Sequence, residues 1–406
     1  MNQVPVIVAS ARTPIGRAFK GSLVEERPDD MVAKVIRSAL EQVPQIEAGD
    51  IDEILVGCGS PGGEQGFNIA RVAAVLLGYD TVPGATVNRY CASSVQTTRQ
   101  AAHSILAGEA RFVVSAGVES CTSYKKGEAD SIPDTMNPAF DEAQTRTSQM
   151  ERISATAWSD PRADGRLPDI YIAMGQTAEN VANLHGVTRA HQDEYALLAQ
   201  QRTAAASERG FWARETSPYV RRDGTVVEAD DSPRPNTTAE ALAALAPAFR
   251  EGGTVTAGNC CPLSDGASAL IIAGDQDAAN LGLQPKARIQ ATAVSALSPE
   301  IMGLGPVESV RKVLAYAGMT LADIDLVELN EAFAAQVIAC QRELDIPLDK
   351  LNVNGGAIAI GHPFGSTGAR MTNTLIHALE ERDLERGIVT MCVGGGQGMA
   401  MIVERI

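Results

Sequence analysis

Two stretches far apart in the chain follow the same order of helix, turn and strand. In the first, Val32, Val35, Ile36, Ala39 and Leu40 fall on one stripe of a helix, and Asp50-Ile51-Asp52 leads into the apolar run Ile54-Leu55-Val56. In the second, Val307, Val310, Val313, Leu314 and Ala317 repeat the stripe, Gly318 supplies a helix stop, and Asp323-Ile324-Asp325 leads into Leu326-Val327. The echo continues downstream. Val87-Asn88 precedes a helix and the strand Arg111 to Gly117, while Val353-Asn354 precedes a helix and the strand Gly387 to Cys392. The Asp-Ile-Asp landmarks are 273 residues apart and the Val-Asn landmarks 266, a difference that one short insertion or deletion explains. A duplicated α/β unit is the simplest reading, with strands and helices alternating so that sheets are covered by helices.

Between the repeats, over residues 119–250, the texture turns polar, as in Asp160-Pro161-Arg162-Ala163-Asp164-Gly165 and Asp230-Asp231-Ser232-Pro233-Arg234-Pro235-Asn236. This is expected to be an insertion, with helical patterning from Ala178 to Ala205 and an N-cap at Thr188. The expected division is therefore 1–118 with 251–274 as the first half, 119–250 as the inserted loop domain, and 275–406 as the second half. Insertions of this size usually carry a ligand or partner contact.

Charge narrows the function classes. With 34 basic against 50 acidic residues, a formal net charge of −16, the chain lacks the cationic excess needed to grip nucleic acid or an anionic membrane without a local cluster. Any phosphate-bearing ligand must be held by such a cluster. The start, MNQVPVIVASARTPIG, reads as a first strand and not a leader, and no run of 18 apolar residues follows. The seven cysteines are odd in number, dispersed and never in a CxxC pair, which points to free thiols in a reducing cytoplasm and away from a structural zinc site.

Three segments join a reactive side chain to a small-residue backbone. Asn88-Arg89-Tyr90-Cys91-Ala92-Ser93-Ser94 places a cysteine at a strand-to-helix turn, where amides and the helix dipole favour a thiolate. Asn354 to Arg370 carries His362 in a glycine-rich loop before a helix, a position for a general base. Met391-Cys392-Val393-Gly394-Gly395-Gly396-Gln397-Gly398 puts a second thiol at the end of a strand, followed by glycine amides able to form an oxyanion nest. Taken singly, each has an ordinary explanation: a packing cysteine, a satisfied loop histidine, a tight turn. Together, two thiols and an imidazole at the mouths of elements in a duplicated frame form a coherent set of nucleophile, base and second acid/base. No GxGxxG or Walker lysine accompanies the glycine runs.

The ordered motifs V-N-R-Y-C-A-S-S, N-E-A-F-A at Asn330 to Ala334, N-V-N-G-G-A-I-A-I-G-H-P-F-G-S-T-G-A-R and C-V-G-G-G-Q-G resemble the thiolase family over essentially the whole chain, from Arg12 to Glu404. The resemblance implies the α/β thiolase fold, two five-stranded layered halves arising by duplication, with a loop domain that binds coenzyme A. It implies an acyltransferase that cleaves a 3-oxoacyl-CoA with free coenzyme A through an acyl-enzyme on Cys91, with His362 as base and Cys392 moving the α-carbon proton. Asn330 would hold a water beside His362 for the enolate oxygen, and the amides of Cys91 and Gly394 would hold the acyl-thioester oxygen. No prosthetic group is implied; coenzyme A is a substrate. For its binding, Arg234 matches the family arginine on the adenine, Arg221 and Arg222 stand nearby for phosphate, Cys261 replaces a usual serine on the pantetheine, Met302 and Phe333 match pocket-lining positions, and Met174 is a further candidate for the coenzyme A site. The N-R-Y-C and R-P-N-T-T wording, and Tyr171-Ile172-Ala173-Met174-Gly175 where condensing enzymes resemble Y-H-M-G, favour degradative 3-oxoacyl-CoA thiolysis, as in fatty-acid β-oxidation. An acetoacetyl-CoA thiolase working in the condensing direction, or a non-catalytic acyl-CoA carrier, are the alternatives. The family resemblance also implies a homodimer or homotetramer.

Overall fold

The computed structural model describes residues 3–123, 135–150 and 158–406. Its strands in chain order are β1 (Pro5–Arg12), β2 (Gly16–Arg17), β3 (Ile51–Cys58), β4 (Gly84–Val87), β5 (Phe112–Ser120), β6 (Tyr219–Val220), β7 (Val226–Val227), β8 (Ser264–Gly274), β9 (Ala287–Ala296), β10 (Leu326–Leu329), β11 (Arg386–Val393) and β12 (Gln397–Arg405). All but β6 and β7 join one sheet in the order β10-β11-β12-β9-β1-β8-β5-β3-β4, with β2 on β8.

The repeat seen in the sequence is a repeat of topology. In the first half, β3 is parallel to β4 and to β5, β5 is antiparallel to β8, and β8 is antiparallel to β1. In the second, β10 is parallel to β11, β11 antiparallel to β12, and β12 antiparallel to β9. The fifth position, held by β4 in the first half, is reduced in the second to a single parallel bridge between Val327 and Leu351. The halves meet where β1 pairs β9 through Val6–Arg288 and Ile7–Ala287.

Period-two alternation then builds layers. On β3, Ile54 and Val56 pack outward into one apolar cluster with Val32, Val35 and Ile36 of the helix Pro28–Leu40, while Leu55 faces the other way. On β12, Met399, Met401 and Val403 face the interior with Met391 and Val393 of β11, while Ala400 and Ile402 join Val310 and Val313 of the helix Gly305–Ala317. The central cluster draws on both halves and on two helices between them, Ser93–Ala107 and Thr367–Arg382.

The contact of these two helices positions the site. Ser94 Oγ accepts the Ala369 N–H at 2.9 Å, and a β-carbon on Gly368 would lie 2.6 Å from the Val95 nitrogen, so only glycine permits the approach. Each helix is entered through a reactive loop, and docking their N-terminal ends therefore brings the two loops together. In the inserted segment, Thr188 caps the helix Arg189–Glu208 as its sequence indicates, accepting the His191 N–H at 3.2 Å. The segment is tied to β1 by buried Arg12, which pairs with Glu215 and with Asp230 at 2.7 Å.

Candidate active site

The chain leaves β4, passes through the one-turn helix Tyr90–Ala92 and enters Ser93–Ala107. Tyr90 sits at φ 42°, a left-handed value that costs a non-glycine residue about 1 kcal/mol. Two local bonds hold it there: the Tyr90 N–H donates to Asn88 Oδ1 at 2.8 Å, and its carbonyl accepts Ser93 Oγ–H at 2.6 Å. The turn presents Cys91 half-buried. Burial pushes the Cys91 thiol up to about 12, against the pull of the Gly394 N–H and its own N–H, both of which reach the sulfur. Those are the two amides expected to line one oxyanion hole.

His362 stands after Gly361, whose φ of 110° excludes a side chain; a β-carbon there would lie 2.5 Å from Ser264 Oγ. That hydroxyl accepts the His362 N–H at 3.1 Å. The imidazole is buried, with Nδ1 2.6 Å from Thr367 Oγ1 and Nε2 3.2 Å from Asn330 Nδ2. Because Thr367 Oγ1 spends its single hydrogen on the Pro363 carbonyl at 2.9 Å, Nδ1 must be the protonated nitrogen. Nε2 then carries the lone pair and accepts a hydrogen bond from Asn330 Nδ2. Burial, and secondarily the Arg370 charge, lower the His362 pKa to about 3, so the ring is neutral and free to accept a proton. Asn330 Oδ1 is buried with no partner among the described residues, an acceptor left open for a ligand or water.

Cys392, near the end of β11, is fully buried beside Met302, Phe333 and Ala178, with Met174 and Phe249 packed against the same cluster. Burial pushes its thiol well up, with Cys91 the next contributor. Cys261 is likewise raised by burial and then by Cys260, Cys91 and Cys392, which places it in the same thiol group. All seven cysteines are free, including the adjacent Cys260 and Cys261. Cys261 N–H bonds the Ala332 carbonyl at 3.0 Å and Cys260 bridges Phe333, so the Gly258 to Cys261 loop is laced to the N-E-A-F-A segment. The structure thus gathers Cys91, Cys392 and Cys261 with the Gly394 amide, sets Met174 and Phe333 against Cys392, and pairs His362 with Asn330.

A cavity of about 630 Å³ opens beside Cys260 and Cys261 and runs to Arg17, Lys20 and Arg234. Among its described lining residues none is acidic, and none of these three cations forms an ion pair among the described residues. In a chain of net charge −16 this is the local cationic cluster that a phosphate-bearing ligand requires. The structure does not bring Arg221 and Arg222 into it. Arg222 pairs with Asp30 at 2.5 Å, and Arg221 lies 3.5 Å from Asp223 and 3.9 Å from Glu26. Their neutralising carboxylates include two from a helix and loop nearly two hundred residues upstream, which loop composition does not reveal. Conversely Arg17 and Lys20 escape a motif-based reading, although their position directly after R-T-P-I-G and the absence of an acidic neighbour between them and Val24 is a signal. Among the described residues no three His, Cys, Asp or Glu side chains gather as metal ligands would, and no helix is long and apolar enough to cross a membrane.

Comparison with known proteins identifies the family of the chain. Residues 5–276 match the thiolase N-terminal domain and residues 283–405 the thiolase C-terminal domain. The chain is 42% identical over 417 residues to the beta-ketoadipyl-CoA thiolase of Pseudomonas knackmussii, covering 100% of both chains. It is 40% identical to the 3-ketoacyl-CoA thiolase of Bacillus subtilis, covering 98% of each, and 41% identical to the acetyl-CoA acetyltransferase of Escherichia coli, covering 99% of each. Among solved structures, the Bacillus anthracis acetyl-CoA acetyltransferase superimposes with a TM-score of 0.85 at 37% identity over 100% of both chains. Human mitochondrial 3-ketoacyl-CoA thiolase in complex with CoA gives 0.85 at 34% identity, over 100% of this chain and 98% of that one. From its duplicated sheets to the loops that meet between them, the chain belongs to the thiolase family.

Proposed function

We propose that this enzyme cleaves 3-oxoacyl-CoA with coenzyme A, giving acetyl-CoA and a shortened acyl-CoA, through an acyl-enzyme on Cys91. The observation that carries this reading is the convergence of the Cys91 sulfur with the amides of Cys91 and Gly394, within a thiol group that also holds Cys392. His362 Nε2 takes the Cys91 proton as the sulfur attacks C3; the C2–C3 bond breaks and its electron pair becomes the enolate of acetyl-CoA. Cys392 protonates C2, and acetyl-CoA departs. The thiol of coenzyme A then attacks the acyl carbonyl and the Cys91 thiolate leaves, a role suited to sulfur. The Gly394 and Cys91 amides hold the oxygen at the acyl carbon, while Asn330, through a water, and His362 hold the enolate oxygen. Such donors are each worth about 3 to 4 kcal/mol, so His362→Ala or Asn330→Ala slows turnover by about two orders of magnitude or more. Run in reverse, the same groups perform a Claisen condensation.

The inserted segment 119–250 with the Gly258 to Cys261 loop forms the coenzyme A site on this reading. Arg17 and Lys20 meet the nucleotide phosphates, Arg234 packs on the adenine, and the pantetheine arm runs past Cys261. For the acyl group we favour chains longer than four carbons, supported by Ala173 in place of a bulkier residue beside Met174. The named relatives span beta-ketoadipyl-CoA, 3-ketoacyl-CoA and acetyl-CoA chemistry. A chain-length series of thiolysis rates decides: activity confined to acetoacetyl-CoA overturns the preference. Within a cell the reaction belongs to acyl breakdown such as β-oxidation, in the reducing cytoplasm where seven free thiols persist.

The same reading makes the enzyme a homodimer or a dimer of dimers. Its support is the outer edge of β4, a half-exposed edge strand flanked by Phe67, 96% exposed, and by exposed Val75 and Leu76. A free strand edge beside apolar side chains is a surface that soluble proteins cover.

A further inference from the structure

The loop that carries Gly394 is poorly suited to hold a hydrogen-bond donor still. It is a three-glycine turn between β11 and β12, with Gly395 at φ 76° and Gly396 at φ 80°, and glycine has more backbone freedom to lose than any other residue. One end is fixed where Gly396 C=O accepts the Leu297 N–H at 2.8 Å. The other is fixed by a side-chain chain that crosses between the two halves of the molecule. Arg89, two residues before Cys91, donates from Nη1 to Gln397 Oε1 at 2.7 Å, and Gln397 Nε2 reaches the Gly394 carbonyl at 3.4 Å. Arg89 is itself braced by its Nε donating to Gln96 Oε1 at 3.0 Å on the helix Ser93–Ala107.

We propose that Arg89 and Gln397 are positioning residues: a clasp between the nucleophile loop of the first half and the glycine turn of the second that keeps the Gly394 N–H on the Cys91 sulfur. The fork geometry of a guanidinium suits this, because two separate donors bind two acceptors on different elements at once. No carboxylate pairs with Arg89 among the described residues, so its anchorage is the two glutamines and not an ion pair. Burial and Arg99 lower the Arg89 pKa, which shows a charge partly withdrawn from water in the vicinity of the nucleophile.

The inference rests on Cys91 being the acylated nucleophile, and its test separates the two ideas. Single-turnover acylation by acetoacetyl-CoA is timed by rapid quench and mass spectrometry for the wild type, Arg89→Met, Gln397→Leu and the double variant, with KM for coenzyme A and the pH profile of Cys91 alkylation measured in parallel. The clasp requires each single variant to acylate about 10- to 100-fold more slowly with KM for coenzyme A within about twofold, and the double variant to be no slower than the worse single, as members of one unit behave. The alkylation profile moves to higher pH as the amide loosens from the sulfur. Acylation within twofold of wild type, or losses that multiply in the double variant, overturns the clasp alone. Wild-type enzyme that never acylates at Cys91 overturns the functional reading beneath it. Should these variants fail to fold, Arg89→Lys serves: it keeps the charge but cannot bridge both glutamines, and wild-type acylation in that variant also refutes the clasp.

Discussion

Thr367 fixes the tautomer of His362. Its Oγ1 lies 2.6 Å from Nδ1 and donates its own hydrogen to the Pro363 carbonyl, so the imidazole must donate from Nδ1 and turn an unprotonated Nε2 toward Asn330. His362 lies in the loop that opens the helix Thr367–Arg382 and Thr367 is that helix's first residue, so the base is oriented by the turn that carries it. Thr367→Val keeps the shape and removes the acceptor. Its expected effect is a fall in kcat of about 10- to 100-fold from a mis-set ring, with KM for coenzyme A nearly unchanged. Steady-state kinetics with both substrates varied checks it, and a Thr367→Ser variant is expected to recover most of the rate.

The resting pair is a neutral thiol and a neutral imidazole. With the Cys91 pKa at about 12, only about one sulfur in ten thousand is ionised at pH 8, and with the His362 pKa at about 3 the base stays unprotonated throughout the neutral range. A raised thiol pKa means that the thiolate is gained only as pH rises, and a lowered histidine pKa means that the base is lost only far into acid. Alkylation of Cys91 in the free enzyme should therefore climb about tenfold per pH unit from pH 6 to 10 without a plateau. A plateau with a midpoint near pH 7 would show an ion pair of thiolate and imidazolium instead.

Coenzyme A selectivity is expected to reside in charge at the far end of the cavity. Arg17→Gln and Lys20→Gln each remove a cation that has no acidic partner, and should raise KM for coenzyme A by about 3- to 10-fold, in keeping with solvated cation–phosphate contacts. The thiolysis rate with pantetheine, which lacks the nucleotide, should not change. Arg221→Gln and Arg222→Gln should leave both untouched, because those cations are occupied by Glu26, Asp223 and Asp30.

What the sequence discloses and what it hides follow a physical boundary. The helical stripe at Val32 to Leu40, the Thr188 cap and the strand entries at Asp50 and Asp323 are local patterns, and the structure has each of them. Cys91, His362 and Cys392 stand out because nucleophilic chemistry needs small neighbours, and glycine and serine clusters beside a reactive side chain are visible in one dimension. The environment that sets their behaviour is not visible. Thr367 looks like one more small residue in G-S-T-G until Pro363 takes its hydrogen. Arg17 and Lys20 join Arg234 only because β2 runs along β8, which folds the segment after Ile15 against a loop more than two hundred residues away. The second half's reduced fifth strand, a single bridge at Leu351, likewise leaves no alternating apolar run to read.

The exposed edge of β4 yields a prediction about assembly. Phe67→Asp places a charge on the apolar surface beside that edge and should shift the particle toward monomer in sedimentation velocity, lowering specific activity as it does. An unchanged sedimentation coefficient for this variant would locate the interface elsewhere.

Mass spectrometry of the trapped enzyme bears most directly on the chemistry. Quenching a burst with acetoacetyl-CoA in the absence of free coenzyme A should leave one acetyl group on the peptide containing Cys91, lost on adding coenzyme A and never formed in Cys91→Ser. An acyl group found on Cys392 or Cys261, or no covalent adduct at all under conditions of turnover, would contradict the assignment of Cys91 as the nucleophile.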